Sequence, residues 1–243
     1  MFFDFTKVDW TFVHSIMAEN NRRLSRTHRG HSDTGSSEQK QPLLLSGQAL
    51  VDQIEDNEID VHKFVHAQST ATEPQSPTAV RNILFQIADL TNRGTLPSDR
   101  FRTWEIGANQ ASLTGGPAIS GPEAKIAPQL IDAAVFEFCD ALWRRWSELI
   151  SDPIPLAAWS EWQLNGGHIH PFYDGCGRIS RSFAASLLVR ARCLLPSFDN
   201  KAAYFEAGNR STAAFLQYYS ERIEACRRTY PSMEKTLNTQ GPS

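Results

Sequence analysis

His170-Pro171-Phe172-Tyr173-Asp174-Gly175-Cys176-Gly177-Arg178-Ile179-Ser180-Arg181 is the stretch on which the reading of this chain turns. Gly175 and Gly177 flank a residue just ahead of an apolar helical pattern, about Arg178 to Arg192, so successive backbone N–H groups there can turn toward one point. The positive end of the helix dipole points the same way, and Arg178 and Arg181 add two fixed charges one turn apart on one face. An anion is the occupant such a cradle predicts, with nucleotide phosphates the natural case. Asp174 stands beside it, where a carboxylate repels phosphate unless a cation lies between them; magnesium, which takes one carboxylate with phosphate oxygens and waters, suits that place. His170, four residues earlier, offers an imidazole able to accept a proton near neutral pH. Pro171 stiffens the turn, and Phe172 is expected to point inward and anchor it. A base, a metal ligand, an anion cradle and two arginines thus fall within twelve residues, a set suited to phosphoryl-type transfer.

Two other chemistries use some of these residues. His168, His170 and Asp174 form a set that zinc accepts, although no further ligand nearby completes a tetrahedron. Cys176 at a helix N-terminus has the setting that lowers a thiol pKa, so it also reads as a nucleophile.

Outward from the loop the pattern is helical almost throughout. Apolar stripes predict helices over about 9–23, 48–68, 79–92, 127–146, 155–168, 201–207 and 211–227. Residues 24–41 are rich in Ser, Arg, His, Gly and Gln and read as a loop. Between Gly94 and Pro122, glycines surround a short Phe101-Arg102-Thr103-Trp104-Glu105-Ile106 run of extended type, which predicts a surface hairpin or flap. The fold class is therefore mainly α, a helical bundle with one small β-hairpin flap.

The 243 residues suffice for one domain with an N-terminal extension. Lys and Arg total 24 against 27 Asp and Glu, a net charge of −3, with no dense basic run, so nucleic acid is not an expected partner. No stretch approaches the ~20 apolar residues that span a bilayer, and the first residues lack the charged-then-apolar order of a secretory signal. A cytoplasmic protein is expected, with no membrane partner. The four cysteines are widely spaced and form no CxxC pair, which suits reduced thiols.

Residues 170–181 resemble the Fic signature His-Pro-Phe-x-Asp/Glu-Gly-Asn-Gly-Arg-x-x-Arg, departing from it only at Cys176, where the family has Asn. Residues 83–106 are similar to the helix and "FR" entry into the Fic flap. The resemblance implies a Fic core at about 77–227, an extension at 1–76 containing a flexible loop at about 24–45, and a tail at 228–243. It implies transfer of AMP from ATP to a Ser, Thr or Tyr hydroxyl of a protein, self-modification included. His170 would be the base, and Asp174 would hold magnesium. Gly175, Cys176, Gly177 and Arg178 would cradle the phosphates, with Arg178 and Arg181 on the outer ones, and the flap from Arg102 to Pro122 would hold the target. Cys176 in place of Asn implies loss of a phosphate contact and a slower enzyme, or a degenerate domain that binds nucleotide or a partner with little catalysis.

A second family motif, Ser/Thr-x-x-x-Glu-Gly/Asn, is similar to Ser15-Ile16-Met17-Ala18-Glu19-Asn20. The resemblance implies an inhibitory helix at about 9–23, whose Glu19 pairs with Arg181 and takes the charge that the γ-phosphate needs.

Overall fold

The computed structural model describes residues 10–24, 44–96, 101–102, 126–165, 169–172 and 174–230. In chain order these form α1 (Trp10–Leu24), α2 (Gly47–Ala67), α3 (Pro77–Asn92), a 3-10 turn (Pro128–Leu130), α4 (Ile131–Arg144) and α5 (Glu148–Ser151). They continue with α6 (Pro153–Leu164), α7 (Cys176–Arg190), α8 (Lys201–Arg210) and α9 (Thr212–Thr229). The helical fold expected from the periodicity is the one observed. Among the described residues, extended pairing is limited to Phe101 lying antiparallel to Phe172. The expected flap beyond Arg102, the loop over 25–43 and residues 231–243 lie outside the described residues.

Helix α7 organises the rest. All of its residues but Gly177 and Arg190 are buried, so it is covered on every side rather than along one stripe. Ser180, Ser182, Ala184, Ala185 and Ser186 keep its surface small, which lets α2, α3 and α6 approach closely. Its buried hydroxyls are not orphaned, since Ser180 donates to the Gly177 carbonyl at 3.1 Å and Ser186 to that of Phe183 at 2.6 Å. Phe183, Leu187 and Leu188 join Leu84, Ile87, Val135, Leu142 and Leu156 in one core.

Helix boundaries follow from local chemistry. Ser76 caps α3 by accepting from the Ala79 N–H at 3.1 Å, with Pro77 as the first helical residue. Gly175, at φ 73°, starts α7 at Cys176, two residues earlier than the sequence reading placed it. The expected helix over 127–146 is instead a 3-10 turn followed by α4, with α5 after it. The helix expected over 155–168 runs from Pro153 to Leu164, because Pro153 supplies a ready-made first turn and the Gly166-Gly167 pair in the sequence opposes continuation.

Helix α1 packs on α2, with Phe12, Val13, Ile16 and Met17 buried in the core, and the two helices meet at two imidazoles, His14 Nδ1 and His62 Nδ1, 2.8 Å apart. His62 is fully buried, and burial, with the His14 charge second, holds its pKa down to about 3. The unfolded chain takes up that proton near pH 6.5, whereas the folded imidazole refuses it until about pH 3. The contribution is therefore whole above about pH 6.5 and is lost progressively as pH falls toward 3. The melting temperature should drop between about pH 7.5 and about pH 5, and drop less in His62→Gln, which has no proton to gain over that interval. Equal drops in thermal melts of the two proteins would remove His62 from the pH response.

Candidate active site

The loop from Ile169 to Gly175 is held from inside. Arg102 is 1% exposed; its backbone N–H donates to the Pro171 carbonyl at 2.9 Å. The Arg102 side chain donates to the carbonyls of His170 at 2.8 Å, Ile169 at 3.4 Å and Ile126. A buried guanidinium with carbonyl partners escapes the full cost of desolvation and in return fixes the backbone that supplies them. Phe172, 1% exposed, packs its ring 6.1 Å from that of Phe101, and Pro171 beside it is buried.

His170 sits at φ 43°, a left-handed conformation that costs a non-glycine residue about 1–2 kcal/mol. Its Nδ1 lies 2.7 Å from the Asn165 carbonyl oxygen, which only accepts, so Nδ1 carries the proton and the basic lone pair falls on Nε2.

Helix α7 begins without a side-chain cap, directly after Gly175. At Gly177 space rather than φ is the constraint: a Cβ there would lie 3.0 Å from Arg181 Nη1, so a side chain would need the guanidinium to shift by a few tenths of an ångström. Arg178 and Arg181 are both buried, and Arg178 Nη2 lies 3.4 Å from Asp174 Oδ2. The Asp174 side chain is 36% exposed at the rim, and its carbonyl accepts from Asn92 at 3.3 Å. One exposed carboxylate beside an anion cradle is an oxygen donor set that suits magnesium, whose remaining ligands are phosphate oxygens and water. The neighbouring Asn92 Oδ1 is buried without a hydrogen-bond partner, a further oxygen at the same corner. Among the described residues no cluster of three His, Cys, Asp or Glu forms a metal site, and His168 of the zinc alternative lies outside them.

One expectation is corrected here, the pairing of Glu19 with Arg181, and the Cys176 side chain is placed: its thiol is tied to the backbone of Phe172. Cys176 is 4% exposed, accepts from the Phe172 N–H at 3.2 Å and donates to the Phe172 carbonyl at 3.4 Å, bracing the loop from within. That tie and its burial also count against a nucleophilic role.

Glu19, for its part, is not paired with Arg181. Two residues beyond the buried Met17, it is turned about 200° away on α1, and its carboxylate is bonded to Arg22 at 2.6 Å and Arg23 at 2.5 Å, first Arg22 and then Arg23 holding its pKa down to about 2. Ser15 is exposed and donates to the Phe12 carbonyl. Asn20 docks α1 instead, accepting from the Phe198 N–H and donating to the Pro196 carbonyl, each at 2.8 Å. The residue on Arg181 is Asn21, whose Oδ1 accepts from Arg181 Nε at 3.1 Å and Nη2 at 2.9 Å. Asn21 in turn donates to Glu58 of α2 at 3.1 Å. Burial raises the Glu58 carboxyl, against the pull of the Arg178 and Arg181 charges. Neither Asn21 nor Glu58 carries a local sequence signal for this role, and Arg102 lies in the extended run whose sequence predicts the flap.

No family model matches the chain, and no curated protein matches it in sequence. Solved structures do. A Fic domain containing signaling protein from Bacteroides thetaiotaomicron superposes with a TM-score of 0.55 over 99% of this chain and 93% of its own, at 15% identity. A Fic family protein from Desulfovibrio desulfuricans gives a TM-score of 0.50 over 90% of this chain and 67% of its own, also at 15% identity. This chain therefore has the fold of Fic domain proteins. No helix of the described residues is long and apolar enough to cross a membrane.

Because Arg102 saturates three carbonyls around the loop, Arg102→Met should lower unfolding stability by about 3 kcal/mol, the scale of charged hydrogen bonds lost with their acceptors left buried. Urea melts of parent and variant measure it; a shift within error would mean that the loop is held elsewhere.

Proposed function

We propose that this chain is a member of the Fic family and a protein nucleotidyltransferase, transferring AMP from ATP to a protein hydroxyl. The observation that carries the reading is His170, strained, with Nδ1 on the Asn165 carbonyl, one turn of chain from an uncapped helix start flanked by two buried arginines. In the reaction the hydroxyl oxygen attacks the α-phosphorus while His170 Nε2 takes its proton. A phosphodiester bond to AMP forms, the bond between the α- and β-phosphates breaks, and pyrophosphate leaves. Arg178 and Arg181 stabilise charge on the leaving phosphates, and Gly175 to Arg178 offer backbone donors. Magnesium bound at Asp174 would neutralise phosphate charge. The substrates are ATP and a Ser, Thr or Tyr side chain, and the setting is cytoplasmic.

The tie between Cys176 and Phe172 supports a second reading, a domain that binds nucleotide without transfer. His170→Ala should abolish incorporation of labelled AMP into the protein itself or into lysate proteins while leaving the circular dichroism melt unchanged, since the half-buried imidazole leaves no core cavity. Transfer by this variant at the parent rate would exclude His170 as base. ATP binding by calorimetry in a parent that transfers nothing would select the binding role.

Inhibition by α1 acts through Asn21 on this reading. Asn21→Ala should raise self-modification about tenfold, equivalent to ~1.4 kcal/mol released when Arg181 no longer gives up a partner. Glu19→Ala, which removes only contacts to Arg22 and Arg23, should stay near the parent rate. The reverse ranking of the two variants in initial rates would return the brake to Glu19.

A further inference from the structure

Behind His170 a chain of buried polar groups crosses three elements. The Asn165 carbonyl that holds His170 Nδ1 belongs to the residue ending α6, whose own N–H donates to the Glu161 carbonyl at 3.0 Å. The Asn165 side chain donates to the Tyr204 hydroxyl at 3.0 Å, and that hydroxyl donates to Glu161 Oε1 at 2.6 Å. Glu161 is 1% exposed and Tyr204 2% exposed. Such a carboxylate is costly to bury, and burial pushes its pKa up to about 7, against the Tyr204 hydrogen bond and the Arg181 charge, which lower it. A buried ionisable group retained at that cost is a candidate for a role beyond packing.

The need for such an anchor is visible in the sequence. Gly166 and Gly167 follow Asn165, and glycine restrains a backbone least of all residues. Beyond the pair the chain is tied back by the Ile169 N–H on the Gln163 carbonyl at 3.1 Å, and Asn165 carries two anchors of its own, its N–H on α6 and its side chain on α8. Tyr204 is well suited to supply the second, because its ring is packed at 5.0 Å from Phe198 and 5.5 Å from Phe215. Trp162, donating to the Gly208 carbonyl at 2.9 Å, locks α8 to α6 beside it.

We propose that Tyr204 and Glu161 are positioning residues for His170: through the Asn165 side chain they fix the carbonyl that holds the imidazole in its Nδ1–H form. The inference rests on reading His170 as the base. Glu161 also faces Arg181 across the small cavity lined by Asn21 and Tyr219, so the same carboxylate adjoins the support of the base and the outer arginine of the cradle.

The test is nitrogen-15 spectroscopy of the histidine ring, His170 being assigned by loss of its signals in His170→Gln. The parent should show the Nδ1–H tautomer. Tyr204→Phe keeps the packed ring and removes only the hydroxyl; it should move His170 toward a tautomer mixture, with self-modification falling about tenfold or more through kcat while KM for ATP stays close to the parent's. Glu161→Leu should do the same, and Glu161→Gln, which keeps an acceptor for Tyr204, should restore the parent spectrum. Should the core variants fail to fold, Asn165→Ala, at a half-buried helix end, keeps the carbonyl and removes its side-chain anchor, and the same spectral change is expected. A parent-like His170 spectrum in a folded Tyr204→Phe or Asn165→Ala protein overturns the proposal. Because the spectrum needs no turnover, an inactive parent would count against the transferase reading and leave this result standing.

Discussion

The site depends on one buried cation. Arg102 donates to carbonyls on both sides of His170, the residue of this loop that is held at φ 43°. The strain of about 1–2 kcal/mol at His170 is repaid by hydrogen bonds of greater total worth, each charged donor contributing roughly 1.5–3 kcal/mol. What the strain gains is direction. With the backbone turned left-handed at that residue, the imidazole meets the Asn165 carbonyl while Phe172 enters the core on the following step. Cys176 then closes the loop on itself through Phe172, so the start of α7 is fixed relative to His170, four residues before Asp174.

A second constraint is charge. Arg178 and Arg181 lie buried at the start of a helix whose dipole is already positive, an arrangement that is unfavourable until something negative or strongly polar meets it. The fold meets it from three sides: Asp174 at the rim, the Asn21–Glu58 pair from α1 and α2, and Glu161 from α6. Burial raises the pKa of Glu58 and of Glu161 against the pull of the nearby arginines.

The sequence was most informative where its signals are local. Helical periodicity located most helices because they bury one stripe, and Gly175, Gly177, Arg178 and Arg181 are legible as a group because they fall within two turns of chain. It was least informative where a role depends on a partner far away. Asn21 meets Arg181 across 160 residues, Arg102 meets His170 across 68, and Tyr204 meets Glu161 across 43. No periodicity or motif encodes those meetings. The Ser15–Glu19 pattern shows the converse hazard: the letters fit a short motif, but the buried stripe through Val13, Met17, Asn20 and Leu24 turns Glu19 away and brings Asn21 to the arginine.

That exchange of a carboxylate for an amide changes what α1 offers Arg181. The bond stays charge-assisted through the guanidinium, but the Asn21 amide oxygen accepts it without adding a negative charge of its own. Glu58 lies one step further back, bonded to Asn21, with burial raising its pKa against the pull of the two arginines. On the transferase reading proposed above, a triphosphate at Arg181 would displace a neutral partner, while the hold of α1 on the body rests on Asn20 at Pro196 and Phe198. In this chain the residue that docks the helix and the residue that meets the arginine are adjacent but distinct, so the contact to Arg181 and the docking of α1 use separate hydrogen bonds.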